Sequence, residues 1–209
     1  MDVDVWSDLV CPWCWIGLAR LRQAAREAGV DVRVRHHAFE LDPGRSATEP
    51  VMDMLVSKYG AHAPAMVANA EAAARADGLR PGFTKAIAAP TRLAHQVVLA
   101  VQASGDAGPV LQRIFRAHFE DGLDISDAAV LRRLGEEAGC PAQAVESGLR
   151  GGAWRDAVLE DERQAAAAGV RGVPFFVLDG RRAFSGAHPV PALREVLAQA
   201  QRGPQAPRA

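Results

Sequence analysis

The pattern of apolar and polar positions near the N-terminus predicts a strand, a helix and a second strand. Val3-Asp4-Val5-Trp6 alternates between apolar and polar residues, as a half-buried strand does. Pro12 suits the first turn of the helix that follows, and Gly29 suits the position just after its end. Alternation resumes from Val30 and continues to about residue 39. This order predicts a βαβ unit.

From about Pro43 to Gly152 the pattern predicts helices alone. Apolar residues recur there at helical spacing, without strand-like alternation. The clearest helical segments are residues 64–77, 91–103, 110–120 and 127–138. We therefore predict that residues 43–152 form an all-helical insertion.

The C-terminal part returns to mixed structure. A helix from Trp154 to about residue 168 precedes an apolar strand at 174–178, a turn at Asp179-Gly180 and a returning strand at 182–185. Pro189 and Pro191 then open a last helix, and a tail rich in proline, glutamine and arginine follows.

These elements predict an α/β fold with a sheet of about four strands and helices on both faces. Residues 1–42 and 153–202 are expected to form one discontinuous domain that carries the insertion, with a flexible tail at 203–209.

Composition and charge narrow the classes of function. With 209 residues, 49% of them hydrophobic, the chain can bury one sizeable core. A net charge of −1 provides no long-range attraction to nucleic acid or to an anionic membrane surface, so neither partner is expected. No apolar run approaches a membrane span, and the acidic start lacks the features of a signal peptide. We therefore expect a cytoplasmic protein.

The motif "CPWC" carries the candidate chemistry. Cys11 lies where the first strand meets the helix, and Cys14 follows one helical turn later, within reach of a disulfide. The helix N-terminus stabilises a thiolate at Cys11 by about 0.3–1 kcal/mol, so strong activation needs further donors. We predict that Cys11 attacks, that Cys14 resolves, and that Pro12 and Trp13 tune the redox potential.

A CxxC pair is also half of a zinc site or, more simply, two buried thiols. Zinc needs two further ligands, which would have to come from Cys140 and the six histidines. None of these has the tight paired spacing of a second half-site, and the adjacent His36 and His37 would point to opposite faces of a strand. No metal site is predicted.

Four segments together resemble the thioredoxin superfamily, in particular the DsbA-like group with a helical insertion and its FrnE-like branch. They are "CPWC", "GVPFF", "RAHFEDGLDISD" and "FSGAHP". The resemblance implies a thioredoxin fold and disulfide exchange at Cys11 and Cys14, through a mixed disulfide with protein or small-molecule thiols. It also implies a cis peptide at Val173-Pro174, where the Val173 backbone would pair with an extended substrate.

The dithiol itself carries two electrons, so no cofactor is expected, apart from glutathione as a redox partner. Relatives of this kind also suggest a homodimer.

The same resemblance leaves two other functions open. Kappa-class glutathione transferases and 2-hydroxychromene-2-carboxylate isomerases share this architecture, but they carry serine where this chain has Cys11. They also carry an acidic residue after the last strand, where this chain has Gly186-Ala187-His188. Both departures favour thiol exchange over a glutathione-dependent isomerase or transferase. The other alternative is a non-catalytic module that binds peptides or small ligands.

The surrounding sequence also predicts where several further side chains lie. His95, in "TRLAHQVV", is expected to face the cysteine cleft, whereas His118, on an apolar stripe, suits the core. Trp13 is expected to line a substrate groove and Trp15 to lie in the core. The apolar cluster around Met54 is expected to contribute to core packing.

Overall fold

A computed structural model gives the fold of the chain and describes residues 1–201; the predicted flexible tail lies outside the described residues. The strands are β1 (Asp2–Ser7), β2 (Arg33–Ala38), β3 (Glu49–Pro50), β4 (Ile87–Ala88), β5 (Phe175–Leu178) and β6 (Arg182–Ser185). The α-helices are α1 (Pro12–Ala28), α2 (Val51–Tyr59), α3 (Ala63–Ala76), α4 (Arg92–Ser104), α5 (Gly108–Arg116), α6 (Ala128–Glu137), α7 (Ala142–Arg150), α8 (Ala153–Ala167) and α9 (Val190–Gln201).

The main sheet has four strands in the order β2-β1-β5-β6. β1 pairs parallel with β2 and antiparallel with β5, and β5 pairs antiparallel with β6. The β5–β6 hairpin turns at Asp179 (φ 47°) and Gly180 (φ 63°), and two successive positive φ angles suit the twist of such a hairpin. The predicted α/β thioredoxin fold is therefore confirmed.

Helix α1 connects β1 to β2 and carries the cysteine motif at its first turn. Pro12 occupies the start of the helix, and Gly29 ends it in the left-handed region with φ 64°. Its buried face includes Ile16, Leu18 and Leu21, which belong to the main hydrophobic core. Burial of this face fixes where the helix N-terminus lies at the end of the sheet.

The insertion is helical except at one point, which corrects the prediction of an all-helical segment. β3 and β4 form a small antiparallel sheet, with Glu49 opposite Ala88 and Pro50 opposite Ile87. Strands of two residues are too short to produce an alternating pattern, so the sequence does not indicate them. Helices α2 and α7 also lie in the insertion, outside the four segments with clear helical spacing. The division into domains stays a prediction.

One predicted helix changes its winding before it ends. The segment expected at 110–120 is α-helical in α5 and then continues as a π-helical turn over Ala117–Asp121. Such turns add one residue to the helix and occur often at functional sites. The turn carries His118 on the side of the insertion that faces the first turn of α1.

The hydrophobic core runs continuously from the sheet into the insertion. Trp15 of α1 stacks on Phe119 of the π-helical turn, with ring centroids 5.3 Å apart, and also contacts Phe83. Trp15 is buried, as predicted. These aromatic contacts hold the insertion over the N-terminal end of α1. Within residues 1–201, no helix combines the length and hydrophobicity needed to cross a membrane.

Candidate active site

Cys11 and Cys14 are free thiols at the first turn of α1. Cys11 occupies the N-cap position with an extended backbone, so it lies at the positive end of the α1 dipole. Its exposed fraction is 5%, while Cys14 is completely buried. Cys11 therefore lies at the surface of the site and Cys14 beneath it, and their roles as attacking and resolving sulfurs stay a prediction.

The surroundings of Cys14 keep its thiol protonated. Burial, together with the side-chain hydrogen bond to Cys11 and the charge there, raises the pKa of Cys14 well above its ordinary value. A hydrogen bond from the Asp8 backbone lowers this pKa, whereas the Asp8 carboxylate raises it. The negative charge of Asp8 therefore disfavours a thiolate at Cys14.

The loop before β5 faces the sulfur of Cys11. The Val173-Pro174 peptide is cis, and the Val173 carbonyl oxygen lies 3.8 Å from Cys11 Sγ. The Gly186 amide donates to the Pro174 carbonyl at 2.8 Å and ties this loop to the end of β6. Gly17 lets α1 approach the loop, because a Cβ there would lie 3.0 Å from the Pro174 ring. The cis peptide that the resemblance implies is present, and the binding of substrate by Val173 and Pro174 stays a prediction.

A chain of buried polar side chains runs from the cysteine motif into the insertion. Asp8 Oδ1 lies 3.4 Å from His95 Nε2, His95 Nδ1 lies 3.3 Å from His36 Nε2, and His36 Nδ1 lies 3.1 Å from Ser7 Oγ. Asp8 Oδ2 also accepts a hydrogen bond from the Leu41 amide at 2.7 Å. Burial lowers the pKa of His36 well below its ordinary value. We call Asp8, His95, His36 and Ser7 the buried polar chain.

His95 reaches the cysteine motif only through Asp8. Its side chain is completely buried and does not line the cleft beside Cys11, whereas Asp8 does. The expectation that His95 faces the cleft is therefore wrong in detail. Its partners are separated from it by 59 and 87 residues, so only the folded structure reveals the contact.

A cavity of about 280 Å³ opens beside Cys11, between the first turn of α1 and the insertion. Trp13 lines it, as predicted, and so do Met54 and Leu55 of α2, which were expected to contribute to the core. Further apolar lining residues are Val10, Leu41, Val51, Tyr59, Met66, Val67, Ala70, Phe83, Ala86, Ala88, Ala89 and Phe119. Helix α2 buries none of its residues, because its apolar side faces this cavity. We call this cavity the Cys11 pocket.

His118 is a functional candidate that the sequence pattern assigned to the core. It is 1% exposed and lines the Cys11 pocket. Its Nδ1 is buried and has no hydrogen-bond partner among residues 1–201. Burial lowers the pKa of His118 to about 4, so the imidazole is neutral at neutral pH. His118 lies on the π-helical turn, and turns of this kind occur often at functional sites. This position distinguishes His118 from an ordinary core residue.

The remaining cysteine and histidines do not assemble into a ligand set. Cys140 follows α6, is partly buried and packs against the core, and burial raises the pKa of its thiol. His37 points away from His36, toward Asp4 and Asp161. No group of three or more His, Cys, Asp or Glu residues within the described part of the chain is placed to hold a metal ion.

The fold and the dithiol at the start of α1 define a thioredoxin-like protein with a helical insertion. Residues 2–198 match the DSBA-like thioredoxin domain, and the chain therefore belongs to that family. The resemblance to the DsbA-like group of the thioredoxin superfamily is confirmed, and the FrnE-like branch stays a prediction.

Individual relatives agree with this assignment. YwbO of Bacillus subtilis is 28% identical over 181 residues, which cover 85% of this chain and 86% of the relative. A crystal structure of a probable DsbA oxidoreductase from Streptomyces coelicolor is 35% identical, with a TM-score of 0.88, and the match covers 100% of this chain and 93% of that one. The cytosolic disulfide reductase DsbM from Pseudomonas aeruginosa is 25% identical, with a TM-score of 0.71 and coverage of 97% and 99%. At the level of the family, these findings support a thiol–disulfide oxidoreductase.

Proposed function

We propose that this protein exchanges its Cys11–Cys14 dithiol with the disulfide of a protein or small molecule through a mixed disulfide. The observation that supports this most directly is the position of the two sulfurs. Cys11 lies at a helix N-terminus beside the Val173 carbonyl and an open pocket, and Cys14 lies buried directly behind it. This arrangement offers one sulfur to a substrate and keeps the second for resolution.

In the first step the Cys11 thiolate attacks one sulfur of the substrate disulfide. A Cys11–substrate disulfide forms, and the other substrate sulfur leaves as a thiolate that takes up a proton. The positive end of the α1 dipole stabilises the attacking thiolate, and the Val173 backbone orients an extended substrate.

In the second step Cys14 loses its proton and attacks Cys11 Sγ. A Cys11–Cys14 disulfide forms, and the remaining substrate sulfur leaves as a thiolate. Two electrons have then passed from the dithiol to the substrate. Because burial raises the pKa of Cys14, this step becomes faster as the pH rises. The reverse sequence oxidises a substrate dithiol.

A thiol such as glutathione completes a reductive cycle without another cofactor. Two molecules of the thiol reduce the Cys11–Cys14 disulfide and become one disulfide. DsbM, one of the similar proteins, has a structure with glutathione and is described as cytosolic. As part of the proposal, this chain is also cytosolic and takes glutathione as its reducing thiol.

Trapping of the mixed disulfide tests this mechanism. The Cys14→Ser variant, incubated with a disulfide substrate, should accumulate a covalent adduct at Cys11, observed by mass spectrometry, whereas Cys11→Ser should form none. Cys140→Ser serves as the control and should behave like the wild type. A Cys14→Ser variant with full turnover would contradict dithiol exchange and favour a glutathione-dependent isomerase or transferase.

The equilibrium potential of the pair then establishes the direction of the reaction. It is measured in glutathione buffers by tryptophan fluorescence, with Trp13 and Trp15 as nearby reporters. A potential above about −200 mV indicates an oxidant or isomerase, and one below about −250 mV indicates a reductase. Absence of any disulfide across the range would contradict the proposed function.

A further inference from the structure

The Cys11 pocket is built for an apolar occupant. Five large apolar side chains are exposed within residues 1–201, and three of them, Leu41, Tyr59 and Met66, line this pocket. Exposed apolar residues that gather at one concave site mark a binding surface. The position of the pocket beside Cys11 connects this surface with the reacting sulfur.

The charges around the pocket favour an uncharged occupant. Its charged lining residues are Asp8, Asp42, Arg45 and Lys58, two of each sign. Arg45 forms ion pairs with Asp42 and Glu49, at 3.2 and 2.9 Å, so its charge is already balanced by the protein. A ligand with several carboxylates, such as glutathione, finds no matching excess of positive charge there.

The size of the pocket favours one bulky side chain over a whole small-molecule ligand. Its volume of about 280 Å³ lies at the lower limit of the range of about 300–1,000 Å³ that is typical of ligand pockets. Consecutive α-carbons are about 3.8 Å apart, so a residue next to the substrate cysteine can reach the pocket when that cysteine bonds to Cys11.

His118 is the polar exception in this apolar wall. Its buried Nδ1 has no hydrogen-bond partner among residues 1–201, which is costly, and a ligand group that pairs with this nitrogen removes the cost. The charged groups near it are Asp8 and Asp124, and neither hydrogen bonds to it. A neutral imidazole has one donor and one acceptor, so it complements an N–H or C=O group of a peptide backbone.

We infer that the Cys11 pocket binds a bulky apolar residue next to the reacting cysteine of a peptide substrate, and that His118 hydrogen bonds to the peptide backbone there. This inference rests on the proposed function and names its substrate class. It makes His118 and the apolar face of α2 determinants of substrate specificity.

Single-turnover oxidation of the reduced protein tests the inference. The probes are disulfide dimers of the peptides Ala-Cys-Phe-Ala and Ala-Cys-Ser-Ala, together with bis(2-hydroxyethyl) disulfide and glutathione disulfide. Rate constants are followed by tryptophan fluorescence and quenched-flow mass spectrometry. We expect the wild type to prefer the Phe peptide over the Ser peptide by about tenfold, and to react with glutathione disulfide more slowly than with the Phe peptide.

Two neighbouring residues of α2 provide a matched pair of variants. Met54 lines the pocket, whereas Val56 is 49% exposed and does not. Met54→Gln should reduce the preference for Phe over Ser to about twofold, and Val56→Gln should keep the wild-type preference. If Met54→Gln and Val56→Gln showed the same preference for Phe over Ser, the pocket would not bind the apolar residue, and the inference would be overturned.

His118→Leu tests the polar contact. The rate with both peptides should fall at least fivefold more than the rate with bis(2-hydroxyethyl) disulfide, and His118→Asn should restore part of the loss. Thermal unfolding of each variant checks that the fold is retained. An equal loss with all probes would show that His118 acts through the fold or through Cys11, and would overturn its role in binding.

The probes also separate this inference from the proposed function. A wild type that reduces bis(2-hydroxyethyl) disulfide but does not distinguish the two peptides contradicts the inference alone. If glutathione disulfide reacts as fast as the Phe peptide, the inference is also contradicted. That result indicates that the natural substrate is a small-molecule disulfide. A protein that reduces none of the probes contradicts the proposed function, and the inference with it.

Discussion

Asp8 acts on the resolving cysteine both through its charge and through its backbone. Its carboxylate raises the pKa of Cys14, while its backbone hydrogen bond lowers it, and burial raises it most. Asp8→Asn keeps the backbone contact and an acceptor for the Leu41 amide but removes the negative charge. We therefore expect the pKa of Cys14 to fall and resolution of the mixed disulfide to shift to lower pH.

The lifetime of the mixed disulfide, measured between pH 5 and 9, checks this prediction. Asp42→Asn removes a charge from the exposed side of the same pocket, and should leave the profile in place. A slower resolution step in Asp8→Asn at every pH would instead identify the carboxylate as a proton acceptor for Cys14.

His37 belongs to a second polar cluster, on the opposite face of β2. Its Nδ1 lies 2.8 Å from Asp161 Oδ1 and its Nε2 lies 2.9 Å from Asp4 Oδ1, while its ring stacks on Trp6. Burial lowers the pKa of His37, but the two carboxylates outweigh burial, so the pKa is raised. Among residues 1–201, these two carboxylates form one other ion pair, in which Arg35 Nη1 lies 3.5 Å from Asp4 Oδ1.

A raised pKa means that protonated His37 stabilises the folded state. The stabilisation is complete below about pH 6.5, the ordinary value, and is lost as the pH rises through the folded-state pKa. We expect His37→Gln to lower the free energy of unfolding by about 1.5–3 kcal/mol at pH 6 and by less at pH 9. Urea unfolding of both proteins at the two pH values measures this, and a loss that grows with pH would contradict the assignment.

At the scale of elements, the close crossing of α4 and α7 depends on one glycine. A Cβ at Gly148 would lie 2.6 Å from the Val97 α-carbon and 2.9 Å from the Gln96 carbonyl oxygen, both backbone atoms that cannot move alone. Gly148→Ala should therefore push the helices apart and destabilise the protein by about 1–3 kcal/mol or more. Because α4 carries His95, the buried polar chain should be disturbed as well.

Thermal and urea unfolding of Gly148→Ala test this prediction. Gly105→Ala is the control, since nothing lies within 4 Å of a Cβ there and its φ of 161° is extended backbone. An unchanged stability in Gly148→Ala would show that the two helices pack with more freedom than the structure indicates.

The elements that the sequence predicts are those with a periodic pattern of several residues. The strands around Val5 and Phe176 and the helix between Pro12 and Gly29 follow from local patterns. The two-residue strands β3 and β4 have no such pattern. The π-helical turn differs from an α-helix by one residue, which the spacing of Phe115 and Phe119 does not reveal.

The candidate site likewise combines features that a local pattern indicates with contacts that only the folded chain reveals. Cys11 and Cys14 are close in sequence, and their spacing alone indicates their chemistry. The contact between Asp8 and His95 joins residues 87 positions apart and depends on tertiary packing. Val173 and Pro174 were placed through the family resemblance, since nothing in their local sequence indicates proximity to Cys11.

At the scale of the whole molecule, the insertion and the thioredoxin-like part share one hydrophobic core, and the Cys11 pocket lies at their junction. The first turn of α1 supplies the reactive sulfur, and the insertion supplies most of the pocket walls, with α2, α3 and the π-helical turn among them. Changes in the insertion should therefore alter which substrates react, more than whether Cys11 reacts.

Acid should destabilise the whole molecule through its buried neutral histidines. Burial lowers the pKa of His36 well below its ordinary value and that of His118 to about 4. Between pH 6.5 and about 4 the unfolded chain therefore binds protons that the folded protein does not, and stability falls as the pH falls. A shift from 6.5 to about 4 corresponds to about 3 kcal/mol for His118 alone, at 1.36 kcal/mol for each pKa unit.

His118→Leu isolates this contribution. The variant keeps an apolar side chain in the cavity wall and has no proton to gain on unfolding, so it should equal or exceed the wild type in stability at pH 7. Toward pH 4 it should become increasingly more stable than the wild type, by up to about 3 kcal/mol. Urea unfolding at pH 4.5, 5.5 and 7 measures the difference, with the exposed His62→Leu as the control. A difference that stays constant over this range would mean that His118 is not neutral in the folded protein, and would remove the basis for its pairing with an uncharged peptide group.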